Sequence, residues 1–349
     1  GILALMALAT RSLSEGRLKR WATLTGIAGA GLFFGECTIT PAISVLSAFE
    51  GLEVVDPAFG RFVVPLSVVV LVGLFAVQRR GTGSVGTMFG PVMAVWFLVI
   101  AVLGGLGIAA QPSVLGAFSP HHAVMFFVRH GFEAFLVLGA VVLAVIGAEA
   151  LFADLGHFGR RPIRRAWLFL VLPSLTLNYL GQGALLLADP SAIANPFYRL
   201  APEWFRLPLV AISTAATIIA SQAVITGAYS LARQTMQLGF CPRLTVRHTS
   251  GEERGQIYLP QVNAGLFVAV ILLVLAFRSA EGLAGAYGLA ATGTFACTSV
   301  LGFLVARRVW GWSWLVTGLA FGSFLVIDLA FLGSAALKIP DGAWFTLLL

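Results

Sequence analysis

Glu36, Thr40 and Ser44 recur every four residues in "GECTITPAIS", 35–44, in the middle of a long apolar run. On a helix that spacing lines one stripe. A carboxylate and two hydroxyls on one stripe offer the oxygen ligands that a dehydrated monovalent cation needs in place of water. Pro41 has no N–H, and its ring clashes with the carbonyl four residues back, at Cys37. The helix is expected to kink there and to turn that carbonyl into a further oxygen donor. The competing reading is that Thr40 and Ser44 bond back to their own helix.

Two more acids fall inside apolar segments, Glu149 and Asp328. An ionised group at the centre of a bilayer costs at least ~2.5–3.5 kcal/mol, so such residues face a cavity or a partner. No lysine or arginine stands at comparable depth in the segments that hold Glu36, Glu149 and Asp328. Burial raises a carboxyl pKa and a nearby cation lowers it. A carboxyl that meets a cation and a dry cavity in turn can therefore exchange a proton for that cation. Glu149, in "GAEALFADLGHFGRRP" (147–162), has no simple structural explanation; Asp154 is expected to pair with Arg160 or Arg161, and His157 to be an interfacial polar group. Ser221, Gln222, Thr226, Tyr229 and Ser230 are expected to bond between helices. Asp328 has little polar company and is read as a helix–helix contact. Tyr287 sits among glycines and alanines, where a helix could open, and is weighed equally as a ligand and as core packing. His121 and His122 are read as loop residues at the outer interface, not as metal ligands. Cys37, Cys241 and Cys297 are read as small apolar fillers, since their number and spacing suggest neither disulfides nor a metal site.

The elements that must carry these residues follow from composition. The 349 residues are 58% hydrophobic and 11% charged, whereas a soluble domain has roughly 25% charged residues. Apolar stretches long enough to cross a bilayer recur along the whole chain. They read as an all-α polytopic membrane protein in a single transmembrane domain, 1–349, and not as the alternating segments of a β-barrel. Nine spans are expected, at 21–49, 62–78, 85–110, 132–155, 166–187, 207–232, 259–277, 282–306 and 312–334. Partial helices at 1–9 and 342–349 suggest a piece of a longer chain. Of the 22 lysines and arginines, 16 fall on one set of connections and 6 on the other. The richer side, around residues 11–20, 79–80, 160–165, 233–254 and 307–308, is expected to be cytoplasmic. Topology thus accounts for the net charge of +7, and nucleic acid is not an expected partner. The 39 glycines are read mainly as sites of close helix approach, with local unwinding at an ion site as the alternative. Neither a P-loop, a G-x-S-x-G nor an H-E-x-x-H pattern is present, so neither an enzyme nor an ATP-driven pump is expected.

"GECTITPAISVLSAFEGLEV", "GTGSVGTMFGPVMAVWFLVIAVLG", "GAEALFADLGHFGRRPIRRAW", "PSLTLNYLGQGALLL", "ATIIASQAVITGAYSLARQ" and "GQIYLPQVN" together resemble, in order, the sequence blocks of the Kup/HAK/KT potassium uptake permeases. The resemblance covers nearly the whole chain. It implies secondary active uptake of K+ with H+ across the plasma membrane, the bacterial inner membrane, and the inverted-repeat fold of the amino acid–polyamine–organocation superfamily. It also places an ion-site stripe on Glu36, Thr40 and Ser44, the coupling carboxylate on Glu149, with Glu36 sharing the proton role, and a tyrosine ligand on Tyr287. The family's first helix and its C-terminal part have no counterpart here, and Ile146 stands where the family often has threonine. No cofactor is expected, K+ and H+ being cargo. The expected partners are those ions and the lipid bilayer, with a homodimer left open. The alternatives are a related carrier for amino acids or other organic solutes, a channel, for which the TVGYG filter is lacking, and a structural or sensory membrane protein.

Overall fold

The computed structural model describes residues 1–80, 83–147, 159–248 and 257–348. Eight of its helices are long and apolar enough to cross a membrane, and the chain is an all-α polytopic membrane protein. In chain order the helices are α1 (Ile2–Arg11), α2 (Arg17–Val55), α3 (Gly60–Val77), α4 (Gly83–Ala110), α5 (Pro120–His130) and α6 (Phe132–Val141). They continue with α7 (Arg160–Ala188), α8 (Pro196–Arg199), α9 (Glu203–Gln237), α10 (Pro260–Phe277), α11 (Ala280–Arg308), α12 (Trp314–Ala336) and α13 (Phe345–Leu348). A π-helical turn, Trp167–Val171, lies within α7. A short antiparallel hairpin pairs Arg247 with Tyr258 and His248 with Ile257.

Eight of the nine expected spans are long helices within a few residues of their expected bounds. The segment 132–155 differs. Its helix ends at Val141, passes through a 3-10 turn at Val142–Ala144 and turns at Gly147, where φ is +107°; the rest lies outside the described residues.

Two helices form the interior. In α2 and α11, 67% of the apolar window is buried inside the chain, against 6% in α12. Composition explains the difference. α12 is lined with large aliphatic and aromatic residues, which lipid covers well. α2 and α11 are rich in glycine, alanine, serine and threonine, which let neighbouring backbones approach closely. The largest core cluster gathers residues of α2, α3, α9, α10 and α11, with Ile39, Ala42, Leu71, Ile225, Val270 and Ala290 fully enclosed. At the crossing of α4 and α7, a Cβ on Gly181 would sit 2.5 Å from the Cα of Gly104, so this pair meets backbone to backbone. The glycine-rich runs in α2, α4 and α11 all stay helical. Close approach, not unwinding, is their role in this structure.

Polar ties fix the bundle at both ends. At the end of α2 that carries Val55, the Tyr198 ring fills the notch left by Gly51, where a Cβ would lie 2.3 Å from Cζ of that ring. Its hydroxyl donates to the Ala48 carbonyl at 2.8 Å and shares a hydrogen bond with Ser213 at 2.7 Å. Burial pushes the Tyr198 phenol up to about 12. Glu50 accepts from the backbone N–H of Ala280 at 2.7 Å and so caps α11 from α2. Further along, Gln78, just past the end of α3, and Gln222 of α9 exchange amide hydrogen bonds. Tyr229 donates to Asn263 at 2.6 Å between α9 and α10.

Candidate functional site

Glu36 sits in the most enclosed stretch of α2 and is 4% exposed. α9 and α11 flank it. On the α9 side, Phe33 packs against Gly227, its Cζ 3.8 Å from where a Cβ would be. On the α11 side, Leu32 abuts Gly293 and Gly29 abuts Cys297, with Cβ positions 2.7 and 2.9 Å from the facing atoms. These contacts, with Glu50 on Ala280 at the other end, make α2 and α11 antiparallel. That register sets Tyr287 at the depth of Glu36 to Thr40. The stretches 21–55, 207–232 and 280–306 contain no lysine or arginine.

Glu36, Thr40 and Ser44 line one stripe of α2, which runs unbroken from Arg17 to Val55 through Pro41. Pro41 is buried, and packing on both flanks holds the helix together against the missing hydrogen bond. The Thr40 hydroxyl donates to the Glu36 carbonyl at 2.8 Å, as the competing reading requires. Donation uses the proton and leaves the oxygen lone pairs, which are what a cation takes up. Ser44 is half-buried, and its carbonyl accepts from Ser47 at 3.0 Å. Tyr287 is half-buried against the core cluster that contains Cys37, Ile39 and Ala42. α11 stays helical around it, so the helix does not open at Tyr287.

The interrupted segment after α6 reaches the same place. A Cβ on Gly288, next to Tyr287, would lie 3.6 Å from Leu143 and 3.8 Å from the Gly139 carbonyl. α11 thus touches both α2 and the turn from which the chain continues towards Glu149. Glu149 itself lies outside the described residues, with Asp154 and His157. Asp328 makes the helix–helix contact expected of it, accepting from Ser299 at 2.5 Å across α11 and α12. Gln222 and Tyr229 bond between helices as expected, whereas Thr226 bonds back to the Gln222 carbonyl at 2.9 Å. Ser221, wholly buried, finds no hydrogen-bond partner for its hydroxyl among the described residues. No group of three or more His, Cys, Asp or Glu suited to a metal ion occurs among the described residues. The Glu36 stripe instead offers one carboxylate with neutral oxygens, the donor set of a weakly held monovalent cation.

The pattern of the whole sequence decides the family. The family model for the K+ potassium transporter integral membrane domain matches residues 1–349. The chain belongs to this potassium transporter family. It is 56% identical over 348 residues to a "Probable potassium transport system protein Kup" of Thiobacillus denitrificans, covering 99% of this chain and 56% of that protein. A protein of the same name from Acidovorax sp. is 55% identical over 350 residues, 100% of this chain and 56% of its own length. One from Bdellovibrio bacteriovorus is 53% identical over 352 residues, 100% of this chain and 53% of its own length. The chain thus spans a little over half the length of the curated relatives it matches.

Several polar residues of this potassium transporter domain carry structure that sequence reasoning passed over. Tyr179 and Ser334 bond to the backbone around the α6 interruption. Asn178, 3% exposed, accepts from Gln182 at 2.7 Å. The four-residue spacing of Asn178 and Gln182 inside an apolar span was a usable signal. A lone tyrosine or serine in a span gives none.

Proposed function

We propose that the protein containing this chain is a secondary active K+ importer that couples uptake to H+ at the plasma membrane, with its basic connections in the cytoplasm. The observation that carries the reading is Glu36, buried in α2, on a stripe with Thr40 and Ser44. Membership of the potassium transporter family supports it, as do relatives bearing potassium transport names. The site would lie between α2, the segment after α6, and α11. Glu36 would supply negative charge, and Thr40, Ser44 and Tyr287 neutral oxygens. Glu149 would take up and release the coupled proton, with Glu36 sharing that role. The helices would form one transmembrane domain of the inverted-repeat fold, with the interrupted 132–155 segment as a ninth span. An interruption in mid-membrane is what such transporters use to present backbone to an ion, and the 3-10 turn and left-handed Gly147 are in keeping with it.

The test is Rb+ and K+ uptake by the full-length protein in cells lacking other potassium importers. Uptake should be competed by unlabelled K+ and Rb+ and not by amino acids. Glu36→Gln should cut uptake by about 10- to 150-fold, the value of a charge-assisted contact of about 1.5–3 kcal/mol. Glu149→Gln should flatten its dependence on external pH. Uptake and pH dependence unchanged in both variants would refute the assigned roles. Competition by amino acids would point to an organic solute as cargo.

A further inference from the structure

The interruption after α6 leaves the chain with a problem of backbone chemistry. A helix that stops in mid-membrane has carbonyls with no intrahelical donor, and lipid offers none. Here the Tyr179 hydroxyl supplies such a bond at the interruption itself, and the Ser334 hydroxyl bonds to the helix just before it. Tyr179 of α7 donates to the Ala144 carbonyl at 2.9 Å. Ser334 of α12, 1% exposed, donates to the Leu136 carbonyl at 2.9 Å and accepts from the Gly139 N–H at 2.8 Å. Gly139 makes room for this, since a Cβ there would lie 2.8 Å from the Ser334 hydroxyl. The interruption follows at Val142–Ala144 and Gly147.

We propose that Tyr179 and Ser334 are positioning residues: two hydroxyl clamps that fix the interrupted helix in place and so set how Gly139 and Leu143 lie against α11. Ser334 anchors the helical side of the interruption and Tyr179 the turn itself. The clamps come from α7 and α12, which supply none of the proposed ion ligands. Their consequence for transport rests on the potassium importer reading above, and the experiment separates the two.

The full-length protein is purified as wild type, Tyr179→Phe and Ser334→Ala, and backbone hydrogen–deuterium exchange is followed in peptides covering 136–147 and, as a control, 260–277. Loss of one hydrogen bond should speed exchange in the first peptide by about tenfold and leave the second unchanged. In cells, the apparent KM for Rb+ should rise by about 2- to 30-fold and the pH profile of uptake should shift, at unchanged protein level. Tyr179→Phe removes only the hydroxyl, so it keeps the test informative if Ser334→Ala does not fold. Unchanged exchange at 136–147 in both variants overturns the clamps. Faster exchange with unchanged KM and pH profile overturns their positioning role. If wild type takes up no Rb+, the transport reading falls, and the exchange result decides the clamps by itself.

Discussion

α2 and the 132–155 segment pose the same problem and solve it in opposite ways. Each places a carboxyl in the middle of an apolar stretch, and each contains a residue that breaks helices. α2 has Pro41 and stays helical over 39 residues. The other segment has no proline, yet its helix stops at Val141 and the chain turns left-handed at Gly147. Enclosure, not propensity, makes the difference. α2 is held on two sides by α9 and α11, so its continuity is set by packing. α6 has few buried residues, and hydroxyls from α7 and α12 meet the backbone around its end.

This comparison breaks if Gly147 is incidental. An alanine at φ +107° is strained by about 1–3 kcal/mol, so Gly147→Ala should lower the Tm of the full-length protein in detergent. Pro41→Ala restores a backbone donor and should leave Tm unchanged or higher. The reverse order of the two variants would mean that α2 is the strained element. Close approach is sharpened by a second pair. Gly181→Ala drives a Cβ to 2.5 Å from the Gly104 Cα and should cost about 1–3 kcal/mol. Gly105→Ala, with nothing within 4 Å of its Cβ, should be neutral in the same thermal assay.

A smaller effect is expected where α2 is tied to α8. Tyr198→Phe removes the bond to Ala48 and leaves Ser213 one partner short. It should cost about 1–2 kcal/mol in chemical denaturation monitored by tryptophan fluorescence. Near the other end of α2, Glu15 and Lys19 pair at 2.5 Å on the surface. The Lys19 ammonium holds the Glu15 carboxyl below its ordinary value. A lowered carboxylate pKa stabilises above the unfolded value and ceases to as pH falls through the folded one. Any advantage of wild type over Glu15→Gln should therefore be slight at neutral pH and vanish on acidification. An advantage that grows in acid would reverse the sign.

Much of this was legible in the sequence, for identifiable reasons. Eight helices follow from apolar length alone, and the Glu36–Thr40–Ser44 stripe follows from helical period. Asp328 reads correctly because a lone acid in a span must find a partner, and Ser299 is that partner. Pro41 does not end α2, because its local cost is fixed while the packing that offsets it is non-local. The α6 stop was hidden because the hydroxyls that meet the backbone around it come from positions 179 and 334. No local pattern joins residues so far apart.

Glu36 is proposed as the carboxylate that meets the cation. The most direct test is thermal unfolding of purified full-length protein, wild type and Glu36→Gln, titrated with K+, Rb+ and Na+ at constant ionic strength. K+ and Rb+ should raise the wild-type Tm in a saturable way, by mass action on the folded state, while Na+ should do so less. Glu36→Gln should lose that response. A K+-dependent rise of equal size in both proteins would contradict the account.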